Sequence, residues 1–242
     1  MATTISGGAP GVATAAVAST GPISVGPQGI TFGDASVQTT AYGSTVPTIL
    51  VYTSSSTYTK PASVKWIKVT VIGGGGSTPA SGPLTASVGS GGGGGGAAIG
   101  LYPAPSLPAS AVPYTVGTAG NTSSFGAAPL TVISATGGAA GTINTVSTGS
   151  TILGGAGGVG SNGSINVYGN SGLSGLTIDS TTAVRVPGGG GNSLLGIGGA
   201  PIIAAGAGNP GVNYGGGASG VRGASQSGGT GATGLVIVEE FY

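Results

Sequence analysis

The side chains able to act as acids, bases, nucleophiles or metal ligands are few and widely spaced. The acids are Asp34, Asp179, Glu239 and Glu240; the cations are Lys60, Lys65, Lys68, Arg185 and Arg222; there is no His or Cys. A Ser-His-Asp triad, a thiolate nucleophile, a zinc finger and a His-ligated haem are therefore excluded. Glycoside cleavage needs two carboxyl groups roughly 5–9.5 Å apart. Glu239 and Glu240 are adjacent, so on a strand they point to opposite faces. Asp179, in Ile178-Asp179-Ser180-Thr181-Thr182, suits a turn in which the carboxylate bonds its own backbone. It could pair with a carboxylate of another chain, but nothing in the sequence shows such a pair. Glycines 91–96 lack the Lys and Ser/Thr that follow a phosphate loop, and no dinucleotide fingerprint with a downstream acid fits. The three lysines cluster about one strand, where a solvated face or edge protection explains them better than anion binding. These residues predict no enzyme, no cofactor and no metal. A formal net charge of +1 offers nothing to a nucleic-acid backbone.

What remains for chemistry is recognition by aromatic faces, amides and hydroxyls, the combination that suits saccharides. Two Asn-rich, loop-like stretches hold such residues. One contains Asn162, Asn166, Tyr168 and Asn170; the other contains Asn209, Asn213 and Tyr214. All seven are candidate receptor contacts. The competing reading is that each tyrosine caps a small core with its hydroxyl at the surface. Trp66 lies on a strand and reads as core or interface.

The elements that must carry these residues are set by an unusual composition. Glycine and proline supply 56 and 15 of 242 residues, about 29% together, which by itself suggests low complexity. Disorder, however, goes with low hydrophobicity and high charge, and here 38% of residues are hydrophobic and 4% charged. Such a chain must bury its apolar residues. No run approaches the roughly 20 apolar residues of a membrane helix. The first residues, with no positive charge and Thr14 interrupting the Ala/Val stretch, make a poor export signal. Synthesis in the cytoplasm without membrane insertion is the expectation, and it disfavours a cellular glycine-rich wall protein.

Residues 1–46 hold two short strand candidates, Gly29–Phe32 and Val37–Thr40, either side of a Gly33-Asp34 turn. A helix over Val12–Ala18 is weakly supported, because β-branched and Thr residues disfavour it. This segment buries too little surface to stand without partner chains. Residues 47–242 open with strands at Thr48–Tyr52 and Val64–Ile72. In the second, Ile67, Val69 and Val71 share one face, and Trp66, Lys68 and Thr70 the other. Pro61 marks its start. Gly234–Tyr242 forms a further strand, apolar on both faces in its middle, as in a sheet interior or a subunit interface. If the first and last strands pair at the base, the intervening loops can lie distally.

Between these strands glycine dominates, in runs at 73–76, 91–96 and 188–191, separated by short β-like segments. Some glycines recur every third residue, as at Gly154, Gly157, Gly160 and Gly163, and at Gly217, Gly220 and Gly223. Three is the period of the polyproline-II helix, and only glycine lets such backbones pack closely enough to hydrogen bond. Either these segments form a packed polyglycine-like array, or the glycines only make turns and close crossings in a β-sandwich.

The order of motifs in residues 48–242 resembles the glycine-rich domain common in bacteriophage tail fibres. Thr57-Tyr58-Thr59-Lys60-Pro61-Ala62-Ser63-Val64, the alternating strand to Ile72 and glycines 73–76 resemble its opening, with Ser63 where the family usually has glycine. Gly95-Gly96-Ala97-Ala98, Pro113-Tyr114-Thr115-Val116-Gly117, Ser123-Ser124-Phe125-Gly126, Ala135-Thr136-Gly137-Gly138 and Gly234-Leu235-Val236-Ile237-Val238 follow in the family's order. Upstream, residues 29–41 resemble a second tail-fibre pattern, with Ala35-Ser36 departing from its usual Gly-Thr.

The resemblance implies a virion tail protein, a homotrimer whose residues 1–46 attach to other tail or baseplate proteins. Residues 47–242 would then be a tip that meets a host surface glycan or outer-membrane component. A purely structural fibre shaft, collar or decoration protein is the alternative, and a glycan depolymerase a less favoured one. The expected fold is all-β with little or no helix: a short trimerising segment, then a glycine-rich β-sandwich-like domain with polyglycine-II-like segments.

Overall fold

The computed structural model of the protein describes residues 46–83, 87–144, 149–178 and 184–242, together with the backbone of residues 30–31 and 37–38. The polypeptide divides into two compact units, residues 1–44 and 45–242. In the first, β1 (Ile30–Thr31) pairs antiparallel with β2 (Val37–Gln38). The Val12–Ala18 segment, Asp34 and Asp179 lie outside the described residues.

The second unit is all-β. Its strands in chain order are β3 (Thr48–Tyr52), β4 (Ser56–Tyr58), β5 (Trp66–Ile72), β6 (Val88–Gly89), β7 (Ala97–Pro103), β8 (Val112–Thr115), β9 (Ser123–Phe125) and β10 (Ile133–Ala135). They continue with β11 (Ile143–Asn144), β12 (Ser150–Ile152), β13 (Gly160–Ser161), β14 (Ile165–Val167), β15 (Gly175–Thr177), β16 (Arg185–Val186) and β17 (Leu235–Phe241). Helical geometry among the described residues is confined to one 3-10 turn, Ala104–Ser106.

Two five-stranded antiparallel sheets, ordered β14-β7-β5-β17-β3 and β13-β10-β9-β8-β4, enclose one core. Period-two alternation decides which residues enter it. Ile67, Val69 and Val71 from β5 and Val236 and Val238 from β17 meet Tyr58, Val112, Tyr114, Phe125 and Ile133 from the other sheet. Each such aliphatic burial stabilises the fold by about 1.5–3 kcal/mol. Phe125 sits between the rings of Tyr58 and Tyr102, at centroid distances of 6.0 and 5.9 Å. Leu130, just before β10, is buried. Its N–H, however, closes a turn on Ala127, so the strand begins only at Ile133.

The outward face of the first sheet carries the alternate residues. Register aligns Val51, Ile237, Thr70, Ile99 and Ile165 in one row and Ile49, Glu239, Lys68 and Leu101 in the next. Trp66 stacks on Phe241 at 3.7 Å with the two rings nearly parallel.

Beyond the sandwich the glycine segments do pack as an array. Residues 91–96 form its axis. Gly91 and Gly94 donate to Leu173 and Asn170; Gly92 and Gly95 to Ala218 and Gly215; Gly93 and Gly96 to Ala139 and Thr136. The carbonyls accept in the same rhythm: Gly91 and Gly94 from Gly155 and Gly158, Gly92 from Gly191, Gly93 and Gly96 from Gly76 and Gly73. Successive residues address different neighbours and every third returns to the same one, which is the screw of a three-residue extended helix.

The six surrounding segments also bond one another. Gly138 donates to Gly74, Ala139 to Ala156, Gly169 to Gly158, Asn170 to Asn192, Gly217 to Gly191 and Ala218 to Gly76. These bonds close a ring about the axis in which donors to the axis alternate with acceptors from it. Residues 118–121, 196–199, 208–212 and 229–233 lie outside the ring; Gly74–Asn121, Gly190–Gly199, Ser219–Asn209 and Gly75–Ala232 bond them inward, and Val212–Ile197 joins two of them to each other.

Glycine is required here by proximity. A Cβ on any residue from 91 to 96 would fall 1.8–2.5 Å from a neighbour's backbone, yet none of these residues has a positive φ. The interior is backbone against backbone: all six axis N–H groups and five of the six axis carbonyls bond to neighbouring segments, as burial of polar groups demands.

Candidate functional site

The array stands on the end of the first sheet. Residues 73–76 continue β5, residues 91–96 lead into β7, and residues 229–234 lead into β17. Ile72, Ala97 and Leu235 seal the junction. The chain comes into the unit at the opposite end, since Thr48 pairs with Glu240 while Leu235 pairs with Ile72. The short β6–β11 and β12-β15-β16 sheets lie toward the far end of the array.

Glycines fill the interior lattice positions, so side chains appear only at the perimeter. One flank is built from 169–173, 188–192, 196–199 and 208–212, joined by Leu173 to Gly189, Gly190 to Gly199 and Val212 to Ile197. Along this flank a side chain returns outward every third residue: Asn170 and Leu173, Ile197 and Ala200, Asn209 and Val212, all exposed. Asn192, Leu194 and Leu195 are exposed beside them, and Tyr168 at the base of the flank is 72% exposed. The surface mixes amides, aliphatic side chains and a phenol on a fixed backbone, and it is free of charge. The lysines and both described acids belong to the sandwich. A flank of this kind can bind by hydrogen bonds and apolar contact.

The seven candidate residues fall in different places. Asn170 and Asn209 are on the flank. The Asn209 amide donates to Ala200 O at 2.8 Å, bracing 208–212 against the next segment. Asn213 is exposed at the foot of that segment. Tyr214 is half-buried and packs on Ile72, Ala97 and Leu235, and Ser193 Oγ donates to its carbonyl. It caps a core, as the competing reading had it. Asn162 and Asn166 sit around β14. Asn166 clasps Gly163, accepting from its N–H at 3.0 Å and donating to its carbonyl at 2.9 Å. Asn162, in the left-handed region at φ 61°, donates to Val132 O at 3.1 Å. It edges an open cleft of about 390 Å³ lined also by Tyr102, Leu130 and Ser164. Three of the five amides are thus bonded to backbone already. Sequence reading missed Leu173, Asn192, Ile197 and Val212. Their signal was the three-residue spacing of non-glycine residues, which marks a perimeter once the lattice is known.

The ionisable groups near the sandwich have separate tasks. Lys68 and Glu239 pair at 2.7 Å on the outward face. Glu240, on the other face and 3% exposed, accepts from Tyr58 at 2.8 Å and from Tyr242 at 2.8 Å. The two acids therefore face apart, as their adjacency required. Burial, and then the bond to Glu240, push the Tyr58 hydroxyl well above the usual phenol range. Burial raises Tyr102 to about 12. Among the described residues no group of His, Cys, Asp or Glu side chains is arranged to hold a metal ion, and no helix is long and apolar enough to cross a membrane.

Residues 51–240 match the model of a glycine-rich domain family, and the chain belongs to that family. A comparison with curated proteins gives no match.

Proposed function

We propose that this chain is a phage tail-fibre or receptor-binding protein that attaches, without catalysis, to a glycan or outer-membrane component of the host cell surface. The observation carrying this reading is the flank: fixed rows of exposed, uncharged amide and aliphatic side chains on a backbone lattice, at the end of the unit away from Val46. A backbone lattice holds its perimeter side chains with little further ordering on binding, so recognition loses less conformational entropy. In this reading residues 1–46 join the chain to tail or baseplate proteins, and the protein is a homotrimer. The protein is made in the host cytoplasm and resides in the virion tail.

The test uses labelled full-length protein and cells to which the parent phage adsorbs. The protein binds the cells and competes with adsorption. Leu173→Asp and Tyr168→Ala each weaken binding about tenfold or more with unchanged circular dichroism. Assembled protein that binds no such cells overturns the reading.

The apolar outward face of the first sheet favours a second reading, a structural shaft, collar or decoration protein packed among other virion chains. Labelling the array in intact particles separates the two: an adhesin carries it at the distal tip, a shaft or collar protein does not.

A further inference from the structure

We infer that the outward face of the β14-β7-β5-β17-β3 sheet is where copies of this chain meet. This face bears the side chains that alternation turns away from the core, and they are mostly apolar. Ile49, Val51, Leu101 and Ile165 are 61%, 54%, 55% and 56% exposed. Trp66, stacked on Phe241, extends the patch toward the end remote from the array. Strands about 4.8 Å apart and residues about 3.3 Å apart give such a face roughly 500 Å². That is at the upper end of the largest apolar patch on a typical monomer, which is often functional, and more than half of the roughly 800 Å² per partner of a standard stable interface.

The charges select the partner. One cation and one acid, Lys68 and Glu239, sit side by side among these apolar residues, 2.7 Å apart and still 37% and 22% exposed. The face is neutral as a whole, so neither an acidic nor a basic partner is favoured over the other. A second copy offers Glu239 to Lys68 and Lys68 to Glu239, satisfying both while excluding water. The edge strand β3 supports the same occupant. It is Thr-Ile-Leu-Val-Tyr, with no charge along its length to deter pairing, and such edges are ordinarily covered. The inference rests on the sheet and is independent of what the array binds, so variants of the array flank leave it untouched.

Sedimentation equilibrium of the full chain tests it. The wild type sediments as an oligomer at micromolar concentration. Leu101→Glu and Val51→Lys, both at exposed positions, leave the melting transition in place and weaken association by roughly a hundredfold, because a charge is buried unpaired. Lys68→Glu also weakens it, and the double variant Lys68→Glu, Glu239→Lys restores it. Since the chain has no cysteine, Leu101→Cys supplies a second readout: a bismaleimide joins copies through it and does not join copies through Ala156→Cys on the array. A wild type that is monomeric at tens of micromolar overturns the inference. So does an oligomer that survives both charge insertions, or equal cross-linking at the two cysteines.

Discussion

An added methyl group at Gly93 would lie 2.0 Å from the carbonyl oxygen of Ala156, whereas nothing lies within 4 Å of one at Gly82. The obstructing atom at Gly93 is backbone held on all sides and cannot step aside. Gly93→Ala is therefore expected to cost more than about 4 kcal/mol, the range of severe core overpacking. Gly82→Ala is expected to be neutral or stabilising by up to about 1 kcal/mol through the unfolded chain. Urea midpoints of the two variants check the contrast. The tyrosines give a second residue-scale prediction. Tyr58 and Tyr102 keep their protons in the folded protein above the ordinary phenol value near 10, where the unfolded chain releases them. Their stabilisation is complete below about pH 10 and is lost as pH rises toward the folded values. Thermal melts should thus hold steady through neutral pH and fall steeply above pH 10, with the tyrosinate absorbance of Tyr58 and Tyr102 appearing together with unfolding. In Tyr58→Phe, Glu240 loses one donor, at about 1–3 kcal/mol, and the alkaline fall becomes shallower.

At the scale of elements, the axis amides of residues 91–96 are buried and bonded to three different segments, so no single segment can peel away and expose them. Hydrogen exchange should find them among the slowest amides of the unit, opening only with its global unfolding. The small β12-β15-β16 sheet should exchange much earlier. How much of this was legible in the sequence depends on which atoms make the contact. β5 and β17 were readable because Ile67, Val69, Val71, Val236 and Val238 announce a buried face through side-chain alternation. β7 was harder: Gly100 interrupts it, and its start, Ala97-Ala98, looks like a continuation of the glycine run. The period of three at Gly154, Gly157 and Gly160 showed what kind of helix was available. The ring could not be read, because residues 91–96 choose partners up to 126 positions away, as in Gly92 to Ala218, through backbone groups that every residue shares. The exposed residues of the flank followed the same rule. Asn170 and Asn209 stood out by type, whereas Leu173 and Val212 gained meaning only when the lattice put them in the same rows. Tyr214 looked like its neighbours in sequence, but the junction at Ile72 and Leu235 needed an aromatic lid.

Across the second unit, framework and display are separate materials. The sandwich is specified by apolar side chains, the array by their absence, and the two share continuous strands through β5, β7 and β17. One consequence concerns load. β3 runs from Thr48 toward the array, antiparallel to β17, and is held by five register pairs from Val236–Tyr52 to Glu240–Thr48. A pull applied at Val46 against an anchored array draws β3 along its own axis, so the five pairs resist together in shear. A pull between Val46 and Tyr242 opens the same ladder from one end, pair by pair. In single-molecule force spectroscopy the first geometry should rupture at markedly higher force than the second, and comparable forces would contradict it. The topology thus makes the unit's resistance directional, strongest when it is tugged from its foot against a held array.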